Sequence, residues 1–157
     1  MTTLPFITPL TPPQLREAGV PEPWSFGLQD RVRFGELDVL AHVNNAAYLA
    51  WFENFRIQYF KEYGVDSYAG ALPRIVLRQI ELEFLSEVKL HDIYVVTGRT
   101  VRFRNVSWQM EYSVWVGGKQ TTRGGAVLVN LDQNGAKSPL PDSWKDAFRT
   151  RDGAAQA

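Results

Sequence analysis

Between Leu28 and Val129 the chain switches once between two kinds of apolar spacing and back again. Leu28, Val32 and Phe34 share one parity against Gln29, Arg31 and Arg33, which is the period of a half-buried strand, with Asp30 breaking the set near its start. The period then becomes helical. Tyr48, Phe52, Phe55 and Tyr59 follow the i, i+4, i+7, i+11 spacing of one face, and Leu49, Trp51 and Phe60 widen it until cover is needed on most sides. Asn44 or Asn45 is the predicted N-cap, and Gly64 the left-handed C-cap. Strand alternation then returns. Ile80, Leu82 and Phe84 oppose Gln79, Glu81 and Glu83, while Ile75 and Leu77 sit on the other parity, which predicts a bulge or a change of burial near Arg78. Further strands are predicted over residues 93–103 and 106–116, and a last one through Ala126, Val127, Leu128 and Val129. Asn105 marks one tight connection, Gly117-Gly118 signals a hairpin, and Asp132-Gln133-Asn134-Gly135 closes the last strand.

The ends read differently. Six of the nine prolines precede Trp24, so residues 1–27 are expected to form an extended, irregular arm that docks through Phe6, Leu10 and Trp24 or moves freely. Trp144, Ala147 and Phe148 predict a short helix, and residues 151–157 a disordered tail. Residues 28–150 are then one α+β domain: a strand, a long helix and four more antiparallel strands. A five-stranded sheet curled around that one central helix covers the aromatic face. Open edges and surplus aromatic surface call for a second copy, joined through first strands or helices.

Composition narrows the chemistry. With no cysteine there is no disulfide framework, thiolate nucleophile or cysteine-ligated metal. Seventeen basic and seventeen acidic residues cancel, which argues against nucleic acid and anionic lipid as partners. No basic n-region with a long apolar stretch opens the sequence, and no run of about 18 apolar residues is present, so a cytoplasmic globular protein is expected.

The stretch with the most chemistry is RFGELDVLAHVNNAAYLAWFENFR, residues 33–56. It places two carboxylates, Glu36 and Asp38, one of only two histidines, His42, and two asparagines just before the aromatic helix. A helix N-terminus offers unpaired N–H groups and a positive dipole end, both of which favour negative charge developing on a carbonyl oxygen. The order aromatic-x-[DE]-x-D at Phe34, Glu36 and Asp38, then His42-Val43-x-Asn45, then Tyr48 and the Glu53/Arg56 pair resembles the hot-dog-fold acyl-CoA thioesterases, in their 4-hydroxybenzoyl-CoA thioesterase-like branch. FLSEVKLHD, residues 84–92, and Ser107-Trp108 resemble that family's later strands. Two positions depart from the pattern. Ala41 stands where the family has glycine before the histidine, and His91 replaces glycine before Asp92.

The resemblance implies hydrolysis of an aryl or fatty acyl-CoA to free acid and CoA, with Asp38 as nucleophile or general base. It implies no cofactor, since coenzyme A belongs to the substrate, and subunits paired as dimers or dimers of dimers. His42 would orient the loop, bond substrate or position water. Main-chain N–H groups around Val43, Asn44 and Asn45 would hold the oxyanion. Tyr48 would line the acyl pocket unless it is simply core. Glu53 is the alternative carboxylate, against the blander reading that it pairs with Arg56 or Arg33. Glu36 reads as a salt-bridged loop residue. Arg104, preceded by Arg102, is the candidate contact for CoA phosphates. No carboxylate–histidine spacing suggests a metal. Competing readings are a non-catalytic acyl-binding or assembly module on the same fold, and a hot-dog dehydratase or hydratase, for which the expected D-x-N-x-x-H run is missing.

Overall fold

The computed structural model describes residues 3–65 and 74–157. In chain order it contains α1 (Pro12–Glu17), β1 (Gly27–Arg31), a 3-10 turn (Phe34–Glu36), α2 (Asn45–Tyr63), β2 (Arg74–Phe84), β3 (Ile93–Phe103), β4 (Ser107–Val116), β5 (Lys119–Leu131), α3 (Asp142–Asp152) and β6 (Ala155–Gln156). The sheet order is β1-β3-β4-β5-β2, with β6 added in parallel to β3. The five predicted strands and the central helix are therefore present, as an antiparallel sheet with α2 packed against it. Gly117 and Gly118 both take positive φ in the β4–β5 hairpin, the conformation that a two-residue connection demands. β2 spans Arg74–Phe84, and its half-buried positions pass from Ile75 to Ile80 and Leu82, so the inward parity changes around Arg78.

Contacts divide the chain into two compact units that share the long strands and the helix. The first comprises Met1–Ile57, Leu82–Gly98 and Tyr112–Arg123. Here the first half of α2 buries its aromatic face. Phe52 stacks on Tyr112 at 4.8 Å between centroids, Trp51 stacks on Tyr94 at 3.8 Å, and Phe55 meets Phe26 edge-on at 5.5 Å. Gly98 on β3 is what lets Phe55 in, because a Cβ there would lie 2.5 Å from the ring. Cover is not complete: Leu49 and Ile57, one helical stripe, stay 44% and 47% exposed.

The N-terminal arm is more ordered than its prolines predict. Thr11 accepts a hydrogen bond from the Gln14 N–H while Gln14 Oε1 accepts from the Thr11 N–H, a capping box that starts α1 at a proline. Leu10, Leu15, Val20 and Trp24 then pack with Val95 and Trp115. Proline at the first helical turn lacks only an N–H that would be unpaired anyway, which is why the cluster initiates a helix instead of preventing one. The arm also seals the outer edge of β1. Ile7 and Leu10 donate to the carbonyls of Gln29 and Gly27, both at 2.9 Å, and Pro9 bridges Leu28. β1 itself stops at Arg31, so Phe34 lies in the 3-10 turn, 80% exposed, and not on the inward face of a strand.

The second unit comprises Gln58–Glu81, Arg99–Glu111 and Gly124–Ala157. Its centre is a polar knot in an aromatic setting. Asp152, at the end of α3, accepts from the hydroxyls of Tyr59 and Tyr63, both at 2.5 Å, and from the Thr100 N–H at 2.7 Å. Burial pushes the Asp152 carboxyl above its ordinary range, against the pull of those three donors. The tail expected to be disordered is thus tied down: Asp152 is an anchor, Gly153 ends α3 in the left-handed conformation, and Ala155–Gln156 pair with β3. Short polar tails carry no periodicity, so this ordering depends on partners distant in the sequence. Asp152→Ala removes the acceptor shared by the Tyr59 and Tyr63 hydroxyls and the Thr100 N–H and is expected to cost about 2 kcal/mol, read as a lower urea midpoint.

Both departures from the glycine pattern sit in left-handed backbone, Ala41 at φ 61° and His91 at φ 67°. The loop therefore keeps a glycine-like path while carrying side chains that resist it. Ala41→Gly and His91→Gly should each stabilise the fold by about 1 kcal/mol in chemical denaturation. Loss of stability in both would contradict these torsions.

Candidate active site

The loop from Phe34 to Asn45 is held by its own backbone and side chains and by bonds to the segment after β2 and to Trp51. Asp38 donates its N–H to the His42 carbonyl at 2.8 Å, and its carbonyl accepts the Ala41 N–H at 3.1 Å. Its carboxylate folds back over the same turn. Oδ1 accepts the Leu40 N–H at 2.8 Å and the His42 N–H at 3.3 Å, the local bonding that aspartate offers a tight turn. Among the described residues Oδ2 accepts nothing, and the side chain is exposed. Asp38 is thus oriented through one oxygen and open at the other.

α2 begins where this loop ends. Asn44 is the cap, its Oδ1 accepting the Ala46 N–H at 2.9 Å and its carbonyl the Ala47 N–H at 2.9 Å. The three main-chain donors expected for an oxyanion are not equivalent. The Val43 N–H is spent on the Val88 carbonyl at 2.8 Å, and the Asn44 N–H on the Glu36 carbonyl at 2.7 Å. The Asn45 N–H has no acceptor among the described residues. The Val43 and Asn44 N–H groups thus act as struts that hold the loop to its neighbours.

Asp38, His42, Val43, Asn45 and Tyr48 together line one cavity of about 260 Å³, completed by Phe84, Leu85, Ser86, Glu87 and Val88. Tyr48 is buried at 2% exposure against Trp51 and Phe84, and burial raises its phenol above the ordinary value. His42 Nε2 lies 2.6 Å from Glu87 Oε2, and Lys89 Nζ lies 3.0 Å from the other Glu87 oxygen. Lys89, and then His42, hold the Glu87 carboxyl below its usual range. Glu87 is the residue that sequence reasoning missed. It lies inside the FLSEVKLHD stretch, but nothing in its spacing ties it to His42.

Two other carboxylates separate cleanly. Glu36 accepts from Trp51 Nε1 at 2.9 Å and from the Arg33 N–H at 2.9 Å, a structural role matching its reading as a bonded loop residue. Glu53 is exposed on α2 and pairs with neither expected arginine. Arg33 is held by Asp30 and Glu36, while Arg56 bonds the Tyr112 hydroxyl at 3.3 Å. Glu53 does not line the Asp38 cavity.

Arg104 lines a different depression, of about 230 Å³, in the second unit. Arg78 and Arg102 join it there, with Gln79, Ser107 and Gln109. None of the three guanidinium groups has a carboxylate partner among the described residues. Among those residues no group of three or more His, Asp or Glu side chains is placed to hold a metal ion, and no helix is long and apolar enough to cross a membrane.

With this geometry in hand, comparison with known proteins is specific. The thioesterase-like superfamily matches residues 32–148. A solved structure of a thioesterase superfamily protein from Jannaschia sp. CCS1 is 42% identical, covering 99% of this chain and all of that one, with a TM-score of 0.93. A thioesterase from Thermus thermophilus, solved in complex with coenzyme A and zinc, is 34% identical over 81% of this chain and 93% of its own, with a TM-score of 0.71. An uncharacterized protein of Bacillus subtilis, YsmA, is 27% identical over 124 residues, which is 78% of this chain and 82% of that protein. The chain belongs to the thioesterase-like superfamily and is a thioester hydrolase on the hot-dog fold.

Proposed function

We propose that the chain hydrolyses an acyl-CoA thioester, with Asp38 as nucleophile or general base and the start of α2 as oxyanion site. The observation that carries this is the divided bonding of the Asp38 carboxylate. One oxygen is fixed by two loop N–H groups while the other accepts nothing among the described residues, and Asp38 lines one cavity with Asn45, whose N–H is unspent. Attack on a thioester needs those two features together: an oriented oxygen nucleophile or base, and a donor for the carbonyl oxygen that becomes negative. Tyr48, Phe84 and Leu85 supply an apolar wall for the acyl group, in keeping with an aryl or fatty substrate.

Coenzyme A carries phosphates, and the depression around Arg104 supports its recognition. Three guanidinium groups without acidic partners among the described residues form a strongly cationic patch on a chain of zero net charge. The coenzyme A bound by the Thermus thermophilus relative supports the same ligand class. Glu53, exposed and outside the cavity, is the weaker carboxylate.

The assembly we propose pairs two copies along β2. It is the terminal strand of the sheet opposite the sealed edge, and Val76, Leu77, Phe84 and Leu85 are each more than 40% exposed on or just beyond it. Apolar residues on an open strand edge are a pairing surface. The Asp38 cavity is lined by the residues that immediately follow β2, so a partner docked there would border the site. The expected location is cytoplasmic.

Asp38→Asn is expected to lower kcat by about 10²-fold or more toward an acyl-CoA panel, with CoA release followed by a thiol reagent. The asparagine oxygen can still accept the Leu40 and His42 N–H groups, so the fold should persist. Turnover near wild type in that folded variant, or a larger loss in Glu53→Gln, would move the catalytic carboxylate elsewhere.

Light scattering over a dilution series should give at least twice the 17.8 kDa chain mass down to low micromolar concentration. An active monomer would overturn the pairing.

A further inference from the structure

We infer that residues 152–157 are a positioning strap for the cationic depression, holding the end of β3 so that Arg102 and Arg104 stand ready for a phosphate group. The inference rests on the reading of that depression as the coenzyme A phosphate site. The match to the family ends at residue 148, so the strap lies outside the shared region.

β3 outlasts its neighbour. β1 pairs with Ile93–Thr97 only, while β3 runs on to Phe103. From Gly98 onward the edge that β1 leaves would stand bare, with backbone donors and acceptors unpaired. The strap takes that edge. Asp152 accepts the Thr100 N–H at 2.7 Å, Ala155 and Gln156 pair in parallel with Arg102 and Phe103, and the Ala157 N–H bonds the Phe103 carbonyl at 2.9 Å. Side chains add to the hold. Arg149 lies over the Phe103 ring at 4.9 Å and donates to Gln156 Oε1 at 2.8 Å. The mooring is at Asp152, bound by the Tyr59 and Tyr63 hydroxyls of α2 at 2.5 Å, and Gly153 then turns the chain onto β3 in the left-handed conformation.

This edge matters because of what the strand end carries. Arg102, Phe103 and Arg104 line the depression, joined by Arg78 from β2. With no carboxylate partner among the described residues, the guanidinium groups of Arg102 and Arg104 are placed by the backbone beneath them. One side of that backbone is fixed by the hairpin to β4, where the Arg104 N–H bonds the Ser107 carbonyl at 2.8 Å. The strap fixes the other side. A strand end held on one edge opens locally, and a planar guanidinium fork loses its phosphate when its base tilts.

The test is steady-state kinetics on the full chain carrying Gly153→Val. A side chain at residue 153 meets nothing within 4 Å, so this change acts through the positive φ alone and turns the strap away without a clash. Release is read as lost hydrogen-exchange protection at the Ala157 amide. KM for the acyl-CoA that turns over fastest is expected to rise about tenfold, the loss of one charge-assisted contact, with kcat within about twofold of wild type. The same acyl group on pantetheine, which lacks the nucleotide phosphates, should be hydrolysed alike by variant and wild type. Ala157→Pro removes one strap bond and leaves the Asp152 mooring intact, and should move KM in the same direction by less. A merely structural role would slow both substrates together. Equal losses on both substrates, an unchanged KM with the strap released, or a strap still protected in both variants overturns the inference. The underlying reading fails separately. Arg104→Ala with an unchanged KM for acyl-CoA refutes the phosphate site itself, whereas a raised KM there beside a silent Gly153→Val refutes only the strap.

Discussion

The structure is organised by the need to bury one aromatic helix. Tyr48, Trp51, Phe52 and Phe55 leave water against Tyr94, Tyr112 and Phe26, and further along Tyr59 and Tyr63 stack at 3.9 Å. Side chains of this size each bury roughly 150–250 Å², and no single strand offers that much cover. The consequences run outward from that requirement. Gly98 is small where Phe55 must enter, Asp152 is recruited to satisfy two buried hydroxyls, and the helix start is fixed tightly enough to aim a loop.

That last consequence links packing to chemistry. Because Asn44 caps α2 and also gives its own N–H to Glu36, the helix start and the acidic loop move as one piece. Glu36 in turn accepts from the indole of Trp51, within the first two turns of the helix. Asp38 is therefore positioned by the same element whose burial stabilises the fold. The left-handed torsion at Ala41 is the local strain that this arrangement tolerates, and strain of this kind persists only where its surroundings over-determine it.

Much of this was legible in the residues. The helical period from Tyr48 to Tyr59, the Gly117-Gly118 turn and the five strands follow from spacing alone, because each is a local preference repeated until it dominates. The loop motif placed Asp38, His42 and Asn45 in what proved to be one cavity. What escaped was everything that depends on partners far along the chain. Which of Val43, Asn44 and Asn45 keeps a free N–H is decided by the Val88 and Glu36 carbonyls. Glu53 lost one expected partner because Arg56 turned inward to Tyr112, and the other because Arg33 is held by Asp30 and Glu36. The arm and the tail misled for the same reason: their order comes from β1 and β3, and neither docking leaves a period in the sequence.

The arm on β1 has a consequence for how these chains can accumulate. A sheet with two bare edges can add strands at both ends and grow without limit, which is the route to fibres. Here residues 7–10 occupy one edge, leaving β2 as the other. When a like edge meets a like edge around a two-fold axis, each molecule uses its single open side and presents only sealed ones. On the proposed pairing along β2, extension by strand addition would terminate at two copies, with the proline-rich arm as its stopper.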